Sequence, residues 1–345
     1  MTLSELSEKY NTQEKCIAHL EQVRWHGSPC CNHCGSSKVK KRKRSLLQWH
    51  CQKCNKDSSV LYGTIFEGSR LKLPKWFQLI GLMLHAKKGI SAKQISRDIG
   101  VTYKTAWYSA MRVRCAMLDW GEMLEGIIEM DETYVGGKPR KRNSNINGAN
   151  DENVAQLGNV YAREDRKIKR GRGTKKVPVV GIVERNGNVI AKVMSTLTSK
   201  DLMGLLKKTV KTEGSTLMTD DYRAYSKMNE LIEHFSINHS AKEYVRGAIH
   251  TNTIEGFWSI IKNGIRGQYH VLSKKYLPFY LAEFCYRYNR RKDSSDEVFE
   301  ETIDNTVVNE KCFEDYKPKG DVKRIVYPNK RKKKNKSKCE TASVK

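Results

Sequence analysis

The spacing of apolar positions changes twice along this chain. Over residues 73–118 they recur at helical intervals: Trp76, Phe77, Ile80 and Leu84 share one side, and Pro74 suits a first helical turn. Ser91 reads as an N-cap and Gly100 as a C-terminal turn. Thr102 then opens a second helix through Ala106, Met111 and Val113. After about Glu125 the helical interval gives way to strands. Residues 127–135 read as a buried strand ending at Gly136-Gly137. Residues 177–184 and 188–194 read as two strands joined at Asn186-Gly187, a strong hairpin signal. A helix over 202–210 and a short strand over 215–219 follow. The chain reads as helical again from Tyr222, with further helices over 253–262 and 277–290.

Between these segments lie stretches without periodicity. Residues 1–30 read as a helical lead-in ending near Gly27-Ser28-Pro29. Residues 138–176 are polar, with twelve Lys/Arg against four Asp/Glu, and read as an extended basic surface loop inserted into the strand region. Residues 317–345 carry twelve Lys/Arg and two Asp/Glu, so 293–345 reads as a basic, disordered tail. The expected units are therefore the lead-in (1–30), a cysteine-rich segment (31–60), a helical pair (70–120), a strand-rich unit (125–292) and the tail.

Charge narrows the partner. The 345 residues hold 64 Lys+Arg and 38 Asp+Glu, a net +26, which makes a polyanion the expected partner. Apolar residues make up 38%, enough for packed cores. No run approaches the roughly 18–20 apolar residues of a membrane span, and the N-terminus has acids where a signal peptide needs basic and apolar residues. A reducing, intracellular setting is expected, with no membrane partner.

The ten cysteines are clustered rather than spread. Cys31-x2-Cys34-x16-Cys51-x2-Cys54 is a pair of CxxC turns at zinc-ribbon spacing. Four thiolates on two tight turns form a tetrahedral Zn2+ site with no open position, so the metal is structural and supplies folding energy to a segment with little core. Cys30, His33 and His50 are neighbouring alternatives; Cys31 completes the CxxC and is preferred over Cys30. Just downstream, the helical pair resembles a helix-turn-helix. Its second helix is expected to expose Lys104, Tyr108, Arg112 and Arg114 toward DNA bases or phosphates.

Three acids stand out by context. Asp131 lies in an otherwise apolar strand, Asp220 ends another, and Glu255 sits at the start of a helix. Carboxylates in such places are costly unless they meet a cation. Three that converge make a hard-oxygen site for Mg2+ or Mn2+, and two such ions serve phosphoryl transfer. Thirty-four residues separate Asp220 from Glu255, and Lys262 lies two helical turns beyond Glu255 on the same face. There it could hold a DNA phosphate.

This ordering resembles the DDE pattern of cut-and-paste transposases. The segments Glu-Met-Asp-Glu-Thr-Tyr-Val-Gly-Gly-Lys (129–138), Thr-Asp-Asp-Tyr-Arg-Ala-Tyr (219–225) and His-Thr-Asn-Thr-Ile-Glu-Gly-Phe-Trp-Ser-Ile-Ile-Lys (250–262) are similar to those of bacterial insertion-sequence transposases related to the Merlin transposons. The closing helix around Tyr286-Arg-Tyr-Asn-Arg-Arg291 is similar too. The likeness spans about residues 20–292; the basic loop and tail have no counterpart in it. It implies an α/β, ribonuclease-H-like fold: a mixed five-stranded sheet with helices on both faces, preceded by the zinc ribbon and the helix-turn-helix-like segment. Asp131 would lie on the first strand and Asp220 on the fourth, with Asp221 as the fallback and Glu129 as a supporting group beside Asp131.

The implied activity is binding of the element's own terminal inverted repeats, then cleavage and strand transfer with two metal ions on Asp131, Asp220 and Glu255. The expected partners are end and target DNA and at least a second copy of the chain, with no small-molecule substrate. The expected location is cytoplasmic, at the nucleoid of a prokaryotic host. A DNA-binding regulator without catalysis and a metal-dependent nuclease remain the alternatives.

Overall fold

The computed structural model describes residues 1–43, 45–118, 123–136, 176–237 and 249–308. The basic loop lies outside them from 137 to 175, and so does the tail from 309 onward.

The N-terminal half builds a helical body. Helices α1 (Leu3–Lys9) and α2 (Gln13–Trp25) start at side-chain caps, Thr2 with Glu5 in a reciprocal box and Thr12 on the Lys15 N–H. They pack on α3 (Leu73–His85), α4 (Ala92–Asp98) and α5 (Tyr103–Ala116) through Leu6, Ile17, Leu20, Trp76, Phe77, Ile80 and Ile95. Ser91 caps α4 and Thr102 caps α5, with Gly100 in the left-handed region between them.

Between α2 and α3 lies a small antiparallel sheet: β1 (Val39–Lys41), β2 (Gln48–Cys51) and β3 (Asp57–Ser59), in that order.

The second half is a mixed five-stranded sheet. Its strands are β4 (Ile127–Val135), β5 (Val177–Glu184), β6 (Val189–Val193), β7 (Thr216–Asp220) and β8 (Glu233–Ile237), in spatial order β6-β5-β4-β7-β8. Counted from its own first strand the order is 3-2-1-4-5. The first three strands are antiparallel neighbours, and the last two run parallel to the first. That is the ribonuclease-H-like arrangement.

Alternation along β4 sorts its side chains between two layers. Ile128 and Met130 join Val180, Ile182 and Leu217 under α6 (Ser199–Thr209), which contributes Leu202, Leu205 and Leu206. Val135, Val179 and Val183 face the other way. They pack under α7 (Asn252–Gly264) and α8 (Leu277–Asn289) through Ile254, Phe257, Trp258, Ile261, Leu281 and Phe284. Each such side chain, fully buried, contributes roughly 1.5–3 kcal/mol.

Two expectations are corrected here. The segment from Tyr222 is not a helix. It makes two single 3-10 turns (Arg223–Tyr225 and Met228–Glu230) and then the edge strand β8. Pairing of β8 with β7, a non-local contact, overrides local helical tendency. Nor is the segment after 293 a disordered tail from its start. Helix α9 (Ser295–Val308) begins at a Ser294–Glu297 reciprocal cap and buries Phe299, Ile303 and Val307 in the N-terminal body. These apolar residues fall four apart, and the basic run starts only beyond them. The lead-in and α9 thus close one core from both ends of the described chain. Among the described residues no helix is long and apolar enough to cross a membrane.

Candidate active site

Strands β4 and β7 are hydrogen-bond partners only from Ile127 to Glu129, opposite Thr216 to Met218. Continued, the register would set Asp131 against Asp220. The pairing stops before that point: β4 runs on to Val135 beside β5, β7 ends at Asp220, and the acids lie where the two strands are no longer bonded to each other. Ligand oxygens of Asp131, Glu132 and Asp220 lie within 4.8 Å of one another, and all three residues are half-buried.

Each of the three is oriented by a neighbour. The Trp258 indole N–H donates to Asp131 Oδ2 at 3.0 Å, the Tyr225 hydroxyl to Glu132 Oε2 at 2.9 Å, and the Tyr222 backbone N–H to Asp220 Oδ1 at 3.2 Å. Trp258 reaches Asp131 because residue 181, opposite Asp131 in β5, is glycine. A Cβ there would stand 2.6 Å from the Trp258 ring. Burial pushes the Asp131 carboxyl up from the usual 3.8 to about 7, and the Glu132 and Asp220 carboxylates add to the rise. Burial and the same acids raise the Tyr225 hydroxyl well above its ordinary range. Hard oxygens crowded in this way fit a divalent cation, which relieves their repulsion.

Of the sequence-derived acids, Asp131 and Asp220 come together and Asp221 stands outside the group. Among the described residues Glu255 also stands outside it. Glu255 is on the exposed side of the first turn of α7, three residues before Trp258, and accepts from the Thr251 hydroxyl at 3.3 Å. Lys262 is exposed two turns further along α7. Sequence reasoning gave no role to Glu132, because strand alternation separates it from Asp131. It also missed Trp258, Tyr225, Arg185 and His250. The Phe-Trp pair inside the motif at 250–262 was the available signal for Trp258.

The cysteines form a second cluster. Ligand atoms of Cys31, Cys34, Cys51 and Cys54 lie within 4.8 Å of one another; Cys30 and the two histidines are not part of the group. The two turns repeat one geometry. Gly35 N–H bonds Cys31 O, Asn55 N–H bonds Cys51 O, and both Gly35 and Asn55 have positive φ. His33 meets the Asp57 carbonyl and His50 the Asp57 carboxylate. Backbone N–H groups of Cys54 and Lys53 help hold the Cys51 thiol down at about 6, whereas burial pushes Cys54 up to about 12. Four soft donors on two rigid turns fit Zn2+.

On α5, Lys104 is exposed and Tyr108 is 40% exposed. Arg112 and Arg114 are not on that surface, contrary to the sequence expectation; each is only 2% exposed. The C-terminal half of α5 is buried between the helical body and α8. Arg112 donates to the Glu67 carbonyl at 2.7 Å and lies over the Trp76 and Tyr108 rings. Arg114 Nε donates to Glu283 Oε2 at 2.6 Å, and its guanidinium lies 4.1 Å from the centre of the Tyr280 ring. Burial opposes the Glu283 charge, but Arg114 and Arg287 outweigh it and hold its carboxyl below the usual range. Arg112 thus ties α5 to the Glu67 segment and α3, Arg114 ties it to α8, and neither lies on a surface open to DNA.

Both halves of the chain resemble known proteins. Residues 123–289 match the ISXO2-like transposase domain, and residues 11–57 match a transposase zinc-ribbon domain. A protein of the transposable element ISH50 in Halobacterium salinarum, itself uncharacterized, is 28% identical over 277 residues, covering 78% of this chain and 88% of its own. A crystal structure of a pre-cleavage Mos1 transpososome aligns at 10% identity over 93% of this chain and 98% of that one. Its TM-score of 0.27 is too low to bear on the fold. The chain thus carries, in order, a transposase zinc ribbon and an ISXO2-like transposase domain.

Proposed function

We propose that this transposase binds the terminal inverted repeats of its own element and catalyses strand cleavage and strand transfer at Asp131, Asp220 and Glu255. The observation that carries the reading is the meeting of Asp131 and Asp220 on adjacent strands just past their last shared hydrogen bonds, with Asp131 raised to about 7 by burial and then by its acidic neighbours. Asp131 and Asp220 would hold Mg2+, with Glu255 completing the set from α7 and Glu132 beside them. Divalent ions bound there would activate the attacking oxygen and stabilise the leaving one.

The protein's own groups orient and position. Trp258 and the Tyr222 N–H fix which carboxylate oxygens face the gap. Lys262 lies on the same helix as Glu255 and would hold a phosphate of the strand being cut. In the first reaction water attacks a phosphodiester at the element end, and the 3′ oxygen leaves as a hydroxyl. In the second that hydroxyl attacks target DNA: one P–O bond forms as one breaks, so no covalent enzyme intermediate and no nucleophilic Ser or Tyr is required.

The exposed Lys104 and Tyr108 of α5, together with the zinc ribbon, would read the repeat. The basic segments at 138–176 and 317–345 would add sequence-independent phosphate affinity. Holding two ends together calls for at least two copies of the chain. Action on DNA in a prokaryotic host places the protein in the cytoplasm at the nucleoid.

The test is a strand-transfer assay on DNA carrying the flanks of the gene, with and without Mg2+. Wild type should cut and join only with the metal, and Asp220→Asn should bind ends but lose both reactions by at least about a thousandfold, since a ligand to both steps is removed. Normal cutting by Asp220→Asn refutes the site. Binding without cutting by wild type points to a regulator, and cutting without joining to a nuclease.

A further inference from the structure

We propose that Glu129 is a positioning residue of the carboxylate site: it caps α7 from the neighbouring strand and thereby sets where Glu255 stands. The inference rests on the assignment of Glu255 made above.

A helix leaves its first N–H groups without internal partners, and the N-cap side chain usually takes the one three residues on. Helix α7 lacks that cap. Thr251 occupies the position but makes no capping bond, and its hydroxyl turns instead to Glu255. The missing acceptor comes from β4. Glu129, fully buried, accepts the Ile254 N–H on Oε2 at 3.0 Å and the Thr253 hydroxyl on Oε1 at 2.9 Å. A carboxylate at the positive end of the helix is favoured.

The same carboxylate meets a cation. Arg185 Nε donates to Glu129 Oε1 at 2.7 Å. The Arg185 Nη2 donates to the His250 carbonyl at 2.8 Å, reaches Met218 Sδ at 3.0 Å and lies 3.0 Å from His250 Nδ1. Glu129 lies two residues before Asp131, Met218 two before Asp220, and Ile254 one before Glu255. The pair, with Glu129 buried and Arg185 half-buried, thus touches all three carriers of the proposed triad, each within two residues of its acid. A buried ion pair is a weak stabiliser compared with apolar packing. Its placement here fits a role in geometry, as groups that orient metal ligands have elsewhere.

The experiment is Mn2+ titration of the zinc-loaded, full-length protein by calorimetry, beside end binding and end cleavage. The variants are Glu255→Gln as reference, Glu129→Gln and Thr253→Val. Glu129→Gln should bind ends as wild type does, bind Mn2+ roughly 10–100-fold more weakly, as Glu255→Gln does, and cut about 100-fold more slowly. Thr253→Val, which removes one bond and keeps the ion pair, should shift both readouts the same way by roughly tenfold.

A folded Glu129→Gln with wild-type Mn2+ affinity, while Glu255→Gln is weakened, overturns the proposal. If Glu129→Gln does not fold, wild-type Mn2+ affinity in Thr253→Val overturns it. If Glu255→Gln itself binds Mn2+ normally, the triad is wrong, and the positioning role falls with it. If wild type never cuts, the Mn2+ comparison still decides the positioning role.

Discussion

The two metal-ready sites of this chain are built in opposite ways. The cysteine site is local: its ligands come from two copies of one turn, each closed by its own backbone bonds and a left-handed residue. It has four donors, which suits a structural ion. The carboxylate site is assembled at long range. Its acids come from strands some ninety residues apart in sequence, and their orientation depends on Trp258 from α7 and Tyr225 from a 3-10 turn. A local site can be read and lost locally. The long-range site is only as good as the packing of the sheet and helices behind it.

Separate loss of the two sites is the largest effect expected. Structural zinc in small domains supplies on the order of 10 kcal/mol of folding energy. Cys51→Ser should therefore lose stoichiometric zinc and most affinity for the element end, while Mn2+ binding at the carboxylates persists. Zinc content by a colorimetric chelator and calorimetry with Mn2+ read the two outcomes. Loss of both sites together would break the contrast.

Arg114→Ala approaches the contrast from the other side. It leaves Glu283 buried with one cation fewer at the seam of α5 and α8, at a cost of roughly 3–5 kcal/mol. Urea unfolding should show that loss with zinc content unchanged. A stable variant with weakened DNA binding would instead restore the sequence reading of Arg114 as a DNA contact.

The smallest effect is in pH. Asp131 sits near 7 in the folded chain and near 3.8 when exposed, so the folded state holds the extra proton between those values. Stability conferred by this group therefore falls as pH rises from about 4 to about 7, then levels off. Thermal unfolding of zinc-loaded protein in divalent-free buffer should show that decline. Asp131→Asn should flatten it, and added Mg2+ should offset it. A melting temperature that rises across that window, with Asp131→Asn unchanged, would contradict the assigned environment.

The same contrast explains what could be read from the chain alone. The CxxC pairs were legible because the four ligands and their turns sit within the twenty-five residues 31–55. Strands β4, β5 and β6 were legible from apolar runs and the Asn-Gly turn, and Asp131 and Asp220 from acids placed in or at the end of such runs. Three things were not. The edge strand β8 is short and polar, and only pairing with β7 makes it a strand. Arg112 and Arg114 looked like an exposed basic face because nothing near them in sequence announces Glu67 and Glu283 as partners. Glu132 joins the acidic group although strand alternation separates it from Asp131, and nothing in the local pattern marks it.

Whether Asp220 ligates a catalytic divalent ion can be decided by sulfur substitution. A thiolate is a poor ligand for hard Mg2+ and a more acceptable one for Mn2+. Asp220→Cys should therefore bind element ends, fail to cut them in Mg2+, and regain cutting in Mn2+. Cutting by Asp220→Cys in Mg2+ at the wild-type rate, or a loss that Mn2+ does not relieve, would contradict ligation by Asp220.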